Sequence, residues 1–150
     1  MRIVIQNAIN ASVSIDNNIV GEIDKGYVLL VGFTFGDNKA VVEKMADKLI
    51  SLRLFNDENG KTNLSLADVK GSILSISQFT LYASVKDGRR PSFVDALSPK
   101  EASDLYDYFN DYISSKGVHL ERGVFGADMK VSLINDGPFT IVMDSKDLIK

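Results

Sequence analysis

The chain opens with alternation of apolar and polar residues. Over Met1–Asn7 and again over Ala11–Ile15 every second residue is apolar, which predicts two strands that each bury one face. Asp16-Asn17-Asn18 is a run of turn formers and leads into a further strand over Ile19–Ile23. Asp24-Lys25-Gly26 gives a second turn signal. Beyond it, Tyr27–Phe33 is almost wholly apolar, as expected of a strand buried on both faces.

The period then lengthens. Val41, Val42, Met45, Ala46, Leu49, Ile50 and Leu54 recur at helical spacing behind Asn38, a residue suited to capping the first turn. Asn56-Asp57-Glu58-Asn59-Gly60 predicts a polar turn, and Ser72–Gln78 predicts another strand followed by a long loop. Ser98-Pro99-Lys100-Glu101 predicts a helix start in which serine caps and glutamate closes a capping box. Ala102, Leu105, Phe109, Tyr112 and Ile113 form that helix's apolar stripe, and Gly117 ends it. Val118–Arg122, Met129–Ile134 and Phe139–Met143 read as closing strands, with the last few residues expected to fray. Two helices against many strands, without repeat or linker, predict one layered α/β or α+β domain over residues 1–150.

Composition narrows the chemistry. With no cysteine and one histidine, the chain has no disulfide, no thiolate nucleophile and no cysteine–histidine zinc set. No metal or cofactor is expected. A histidine-based triad would have to use His119, which alternation places on the polar face of Val118–Arg122. A net charge of −3 argues against broad nucleic-acid binding, and no DNA partner is expected. Lys86, Arg89 and Arg90 nonetheless form a local basic cluster, readable as a solvated loop or as a contact for RNA phosphates. No apolar run approaches the roughly 18 residues of a membrane span, and the first residues lack a signal-peptide pattern, so a cytoplasmic location is expected.

Two segments break their strand patterns with polar or turn residues. Ser77-Gln78-Phe79-Thr80-Leu81-Tyr82 follows one apolar run, and Asn135-Asp136-Gly137-Pro138-Phe139-Thr140 follows another. Strand ends of this kind can leave backbone N–H groups free to meet a ligand. No histidine or lysine lies beside Ser77 or Thr80 in sequence to activate a hydroxyl, which weighs against an acyl-enzyme. Free backbone donors forming an oxyanion hole require no activated side chain. Taken alone, Gly137-Pro138 reads as a plain turn.

These two segments, with Gly88-Arg89-Arg90-Pro91-Ser92-Phe93 and Gly123-Val124-Phe125-Gly126-Ala127-Asp128-Met129, resemble the D-aminoacyl-tRNA deacylases of the D-tyrosyl type, from Met1 to about Ser145. The resemblance implies a three-layer α/β/β fold, with two helices packed on mixed, mostly antiparallel sheets. It also implies a homodimer with active sites at the subunit interface. Ser77 and Gln78 would contact the terminal nucleotide of aminoacyl-tRNA. Phe79 and Thr80 would supply backbone donors beside the scissile carbonyl, with either the Thr80 hydroxyl or an RNA-assisted water as nucleophile. Phe93 and Met129 would line the pocket, while Lys86, Arg89 and Arg90 would meet the tRNA. Gly137-Pro138, cis in the family, would enter the other subunit's site and reject L-amino acids.

The family's usual arginine near the end of the first strand is replaced here by Asn7, which implies a looser hold on the Gly-Pro loop. The expected activity is hydrolysis of D-aminoacyl-tRNA, and of glycine mischarged onto tRNA. The alternatives are a non-catalytic module of the same fold that binds RNA ends, and a small-molecule binding dimer.

Overall fold

The computed structural model describes residues Met1–Ile149. In chain order the elements are β1 (Arg2–Ile15), β2 (Asn18–Gly32), α1 (Lys39–Ser51), β3 (Phe55–Asn56), β4 (Thr62–Leu64), β5 (Ser72–Ser77), a 3₁₀ turn (Phe79–Tyr82), α2 (Pro99–Ser115), β6 (Leu120–Arg122), β7 (Lys130–Asp144) and α3 (Ser145–Leu148). Five strands form one mixed sheet in the order β6-β5-β2-β1-β7. β1 pairs antiparallel with β2 and β7, whereas β2, β5 and β6 run parallel. The short pair β3–β4 carries the expected polar turn, with strands on either side that the sequence pattern had not signalled.

Two apolar cores lie on the faces of this sheet. On one, Ile3, Ile5, Tyr27, Leu29, Val31 and Ile73 pack against Val42, Met45, Leu49, Tyr106, Phe109 and Ile113 of α1 and α2. On the other, Ala8, Ala11, Val13, Ile23, Val28, Leu74 and Ile76 gather with Met129, Val131 and Leu133. β1 serves both cores because its alternation changes phase. Its odd residues Ile3 and Ile5 face the helices, but beyond Asn10 its odd residues Ala11 and Val13 face the second core. Asn10 takes a φ of 50°, which asparagine tolerates, and the pairing with β7 slips between Ile9 and Ser12.

β1 and β2 are therefore longer than alternation predicted. The turn expected at Asp24-Lys25-Gly26 does not occur, and β2 runs through it with Lys25 and Gly26 paired to β1 and Gly26 also paired to β5. Gly26 makes this possible: a Cβ there would lie 1.7 Å from the Ser72 carbonyl oxygen, at the start of β5. Asn7, expected near a strand end, consequently sits in the middle of β1.

The helix signals divide. The Asn38 side chain accepts from Val41 N–H at 3.1 Å, as a cap should. Gly117, at a φ of 85°, follows the end of α2 and donates to the Ser114 carbonyl at 3.1 Å. Ser98 does not cap: its hydroxyl donates to the Glu101 carboxylate at 2.5 Å, leaving no side-chain bond to the first-turn amides. A third helix, α3, occupies residues where fraying was expected. Asp144 holds it by accepting from Lys146 N–H at 3.0 Å.

Asp144 also receives the Arg2 guanidinium at 2.9 Å, joining the ends of β1 and β7. Burial pushes its carboxyl pKa upward, but the Lys146 amide and the Arg2 bond and charge together outweigh that and hold it below the ordinary aspartate value. The stability so gained is present above the unfolded-state pKa of about 3.9 and is lost as pH falls through the depressed folded value. Asp144→Asn should lower the urea midpoint at neutral pH and flatten its fall below about pH 4. Parallel midpoint–pH curves for the two proteins would rule out this contribution.

Candidate active site

The β2–β5 ladder ends at Gln78, whose N–H donates to the Val31 carbonyl at 2.8 Å. The chain then enters the 3₁₀ turn Phe79–Tyr82, with Leu81 N–H reaching back to the Gln78 carbonyl at 3.3 Å. The first amides of a helical turn have no partner inside it. Among the described residues, neither Phe79 N–H nor Thr80 N–H bonds to a protein acceptor. Two adjacent amides without a protein acceptor thus stand just past the strand end. The Gln78 side-chain amide donates to the Thr80 hydroxyl, and among the described residues no histidine, lysine or carboxylate hydrogen-bonds that hydroxyl.

Beside these donors lies an open cleft of about 290 Å³. Ser77, Gln78 and Phe79 form one wall, Phe125 to Met129 the other, and Ile76 and Val131 contribute apolar surface. The second wall is fixed through the Ser75 carbonyl, which accepts Tyr106 Oη–H at 2.8 Å and Gly123 N–H at 3.1 Å. The Tyr106 ring also packs 6.0 Å from that of Phe125. Burial pushes the Tyr106 phenol pKa up, so it remains a protonated donor. The sequence marked this wall as the segment Gly123 to Met129 but gave a pocket role to Met129 alone. Tyr106 was missed. Its place between Ala102 and Phe109 on the buried stripe was the available signal.

The remaining candidate residues do not line the cleft. Phe93 packs edge-on against Phe79, with centroids 5.0 Å apart, and so braces a residue that is itself half exposed. Lys86, Arg89 and Arg90 are exposed on a loop closed by reciprocal bonds of 2.8 Å between Ser84 and Ser92. Among the described residues none of the three is ion-paired. His119 is exposed at the opposite end of β5, where its carbonyl accepts Ile73 N–H, and plays no part in the cleft. No cluster of potential metal ligands occurs among the described residues.

Gly137 and Pro138 lie outside the chain's own cleft. β7 pairs with β1 through Asn135↔Ala8 and Thr140↔Gln6, so Asp136 to Phe139 leave the ladder as an exposed excursion. Its base is closed by Asn135, which accepts Phe139 N–H at 3.1 Å and donates to the Thr140 hydroxyl at 3.0 Å. The Gly137–Pro138 bond is cis. Asn7 has a different partner from the one its position suggested. It is buried and donates to the Leu54 carbonyl at 2.6 Å, beyond α1, so Asn135 secures the excursion.

Comparison with known proteins assigns this architecture. The family model described as D-Tyr-tRNA(Tyr) deacylase matches residues 4–144. A D-aminoacyl-tRNA deacylase of Lactobacillus acidophilus is 57% identical over 144 residues, covering 96% of this chain and 99% of that protein. One from Bacillus pumilus is 54% identical over 147 residues, covering 98% and 100%. Among solved structures, a c-Myc DNA Unwinding Element Binding Protein superposes with a TM-score of 0.89 at 34% identity, covering 96% of this chain and 98% of that one. A probable eukaryotic D-amino acid tRNA deacylase shares the fold at 17% identity, with a TM-score of 0.84 and coverage of 95% and 97%. By its full-length match to the family model and to these relatives, the chain belongs to the D-Tyr-tRNA(Tyr) deacylase family.

Proposed function

We propose that the strand-end cleft is where this D-aminoacyl-tRNA deacylase hydrolyses the ester between a D-amino acid and the 3′ end of tRNA. The observation carrying the proposal is the pair of unpartnered amides, Phe79 N–H and Thr80 N–H, beside a cleft walled by Ser77, Gln78 and Met129. An aminoacyl ester is already activated, so catalysis requires a positioned carbonyl, donors for the developing oxyanion and an oriented water. Ser77 and Gln78 hold the terminal nucleotide. The two amides receive the oxyanion, and water attacks with help from an RNA hydroxyl. Glycine fits the same site because it has no side chain to exclude. The enzyme works in the cytoplasm on the acceptor end of tRNA.

Chiral selection is assigned to a second copy of the chain. None of Asp136 to Phe139 lines the chain's own cleft, and the excursion, exposed at Asp136, Gly137 and Pro138, belongs to β7, an edge strand of the sheet. An unpaired edge of that length favours association. In the resulting dimer Gly137-Pro138 of one copy enters the other's cleft, and its carbonyls leave no room for an L side chain. Pairing at this edge completes the three-layer α/β/β arrangement.

Thr80→Ala distinguishes the two nucleophiles. Alanine keeps the amide donor, so most D-aminoacyl-tRNA turnover should survive. A loss beyond about 10⁴-fold in a folded protein would make the hydroxyl the nucleophile, since one oxyanion donor accounts for only about 10²–10³.

Replacing Arg89 and Arg90 together with alanine should raise KM for the tRNA substrate and weaken its salt dependence, with kcat preserved. An unchanged salt titration would make them an ordinary solvated loop.

Gly137 has a φ of 142°, and a Cβ there would meet Phe139 N at 2.9 Å. Gly137→Ala should therefore displace the excursion while sparing both cores, lowering the D-over-L preference by roughly tenfold to a hundredfold. Chiral assays run beside a mass measurement in solution decide the matter. Full discrimination by the variant, or by a monomeric wild type, is incompatible with selection across a dimer.

A further inference from the structure

A second groove, of about 790 Å³, opens at the same end of the sheet as the cleft. It is lined in part by Arg2, Phe35, Tyr82, Lys86, Asp95 and Lys146. The two sites share one structural element: Phe79 and Thr80 open the 3₁₀ turn that Tyr82 closes.

The groove's cations differ in availability. Arg2 is engaged by Asp144 and lies 4.7 Å over the Tyr82 ring. Lys86 and Lys146, by contrast, have no ion-pair partner among the described residues. Phe35 is 66% exposed, an unusual setting for a phenyl ring held by a tight turn. That turn is fixed by Asp37: its carboxylate accepts Thr34 N–H at 2.8 Å, and its own N–H reaches the Thr34 carbonyl at 3.2 Å. The same carboxylate takes the buried Met1 ammonium at 2.7 Å, and the ammonium also donates to Ser145 Oγ at 2.8 Å. Ser145 begins α3, which carries Lys146. The exposed ring and the free lysine are thus mounted on one anchored frame.

An exposed aromatic face beside unpaired ammonium groups suits single-stranded nucleic acid, in which a base stacks and phosphates pair. The groove's lining carries three cations, Arg2, Lys86 and Lys146, against one carboxylate, Asp95, a balance that favours an anionic strand. We propose that this groove seats the single-stranded nucleotides immediately preceding the terminal nucleotide of the tRNA, with a base on Phe35 and phosphates at Lys86 and Lys146. The inference rests on the cleft being the site of ester hydrolysis, because it runs the strand from the cleft past the 3₁₀ turn.

The test compares two substrates, a D-aminoacyl-tRNA and the minimal 3′-O-(D-aminoacyl)adenosine, with wild type, Phe35→Ala, Lys146→Ala and the double variant. Both side chains project from the surface, and circular dichroism with a urea midpoint checks the fold. The double variant should show kcat/KM on tRNA reduced roughly tenfold or more, almost wholly through KM. Lys146→Ala should make the salt slope shallower by about 0.7, the value for one single-strand phosphate. Turnover of the aminoacyl-adenosine should be unchanged. Equal losses on both substrates, or none on tRNA, overturn the groove assignment while leaving the cleft in place. If wild type hydrolyses neither ester, the cleft reading fails, and the groove proposal falls with it.

Discussion

The bond from Gln78 N–H to the Val31 carbonyl is the last rung between β2 and β5, and the site follows from where that ladder stops. One residue later the chain tightens into a 3₁₀ turn, so its next two amides find no carbonyl within reach. Elsewhere in a folded domain such amides would be a defect. Here they lie beside an open cleft, lined by Phe79, whose far wall hangs from the carbonyl of Ser75 on β5. The same short strand thus leads into the donors and anchors the opposite wall. This coupling makes the cleft's geometry a property of the sheet and its core packing, with little left to loop flexibility.

Sequence legibility follows the range of the interactions involved. The Asn38 cap and Gly117 stop are local, because each is satisfied within a few residues, and both were readable. The strand-end segments were readable because polar residues interrupt a clear period. Ser98 failed as a cap because Glu101 competes for its hydroxyl, a choice that the four-residue motif leaves open. Asp24-Lys25-Gly26 resembled a turn because the ladders that keep it extended come from β1 and β5, distant in sequence. Tyr106 was hidden for a related reason: its ring belongs to the apolar stripe, and only the packed fold reveals what its hydroxyl holds. Phe125 to Asp128 become a wall only when Gly123 docks on β5.

Electrostatics on this acidic chain is arranged by location. Two of the internally paired cations, the Met1 ammonium and Arg2, tie the first strand to Asp37 and Asp144. Burial lowers the pKa of the Met1 ammonium, against the Asp37 bond and charge that favour its protonated form. The unpaired cations Lys86, Arg89, Arg90 and Lys146 lie outside this framework, around the 3₁₀ turn and α3. A net charge of −3 therefore coexists with a local group of unpaired cations beside the 3₁₀ turn and α3.

The phase change at Asn10 has a consequence for how this domain can diverge. β1 and β7 pass between two cores, and each exchanges its buried and exposed faces once along its length. Substitution can proceed residue by residue on such a strand, but a single inserted or deleted residue would turn the remainder inside out. Along β1 and β2 the spacing of residues is thus held more tightly than the identity of the exposed side chains. Length variation belongs at places such as the Asp57–Lys61 turn, which no core reads.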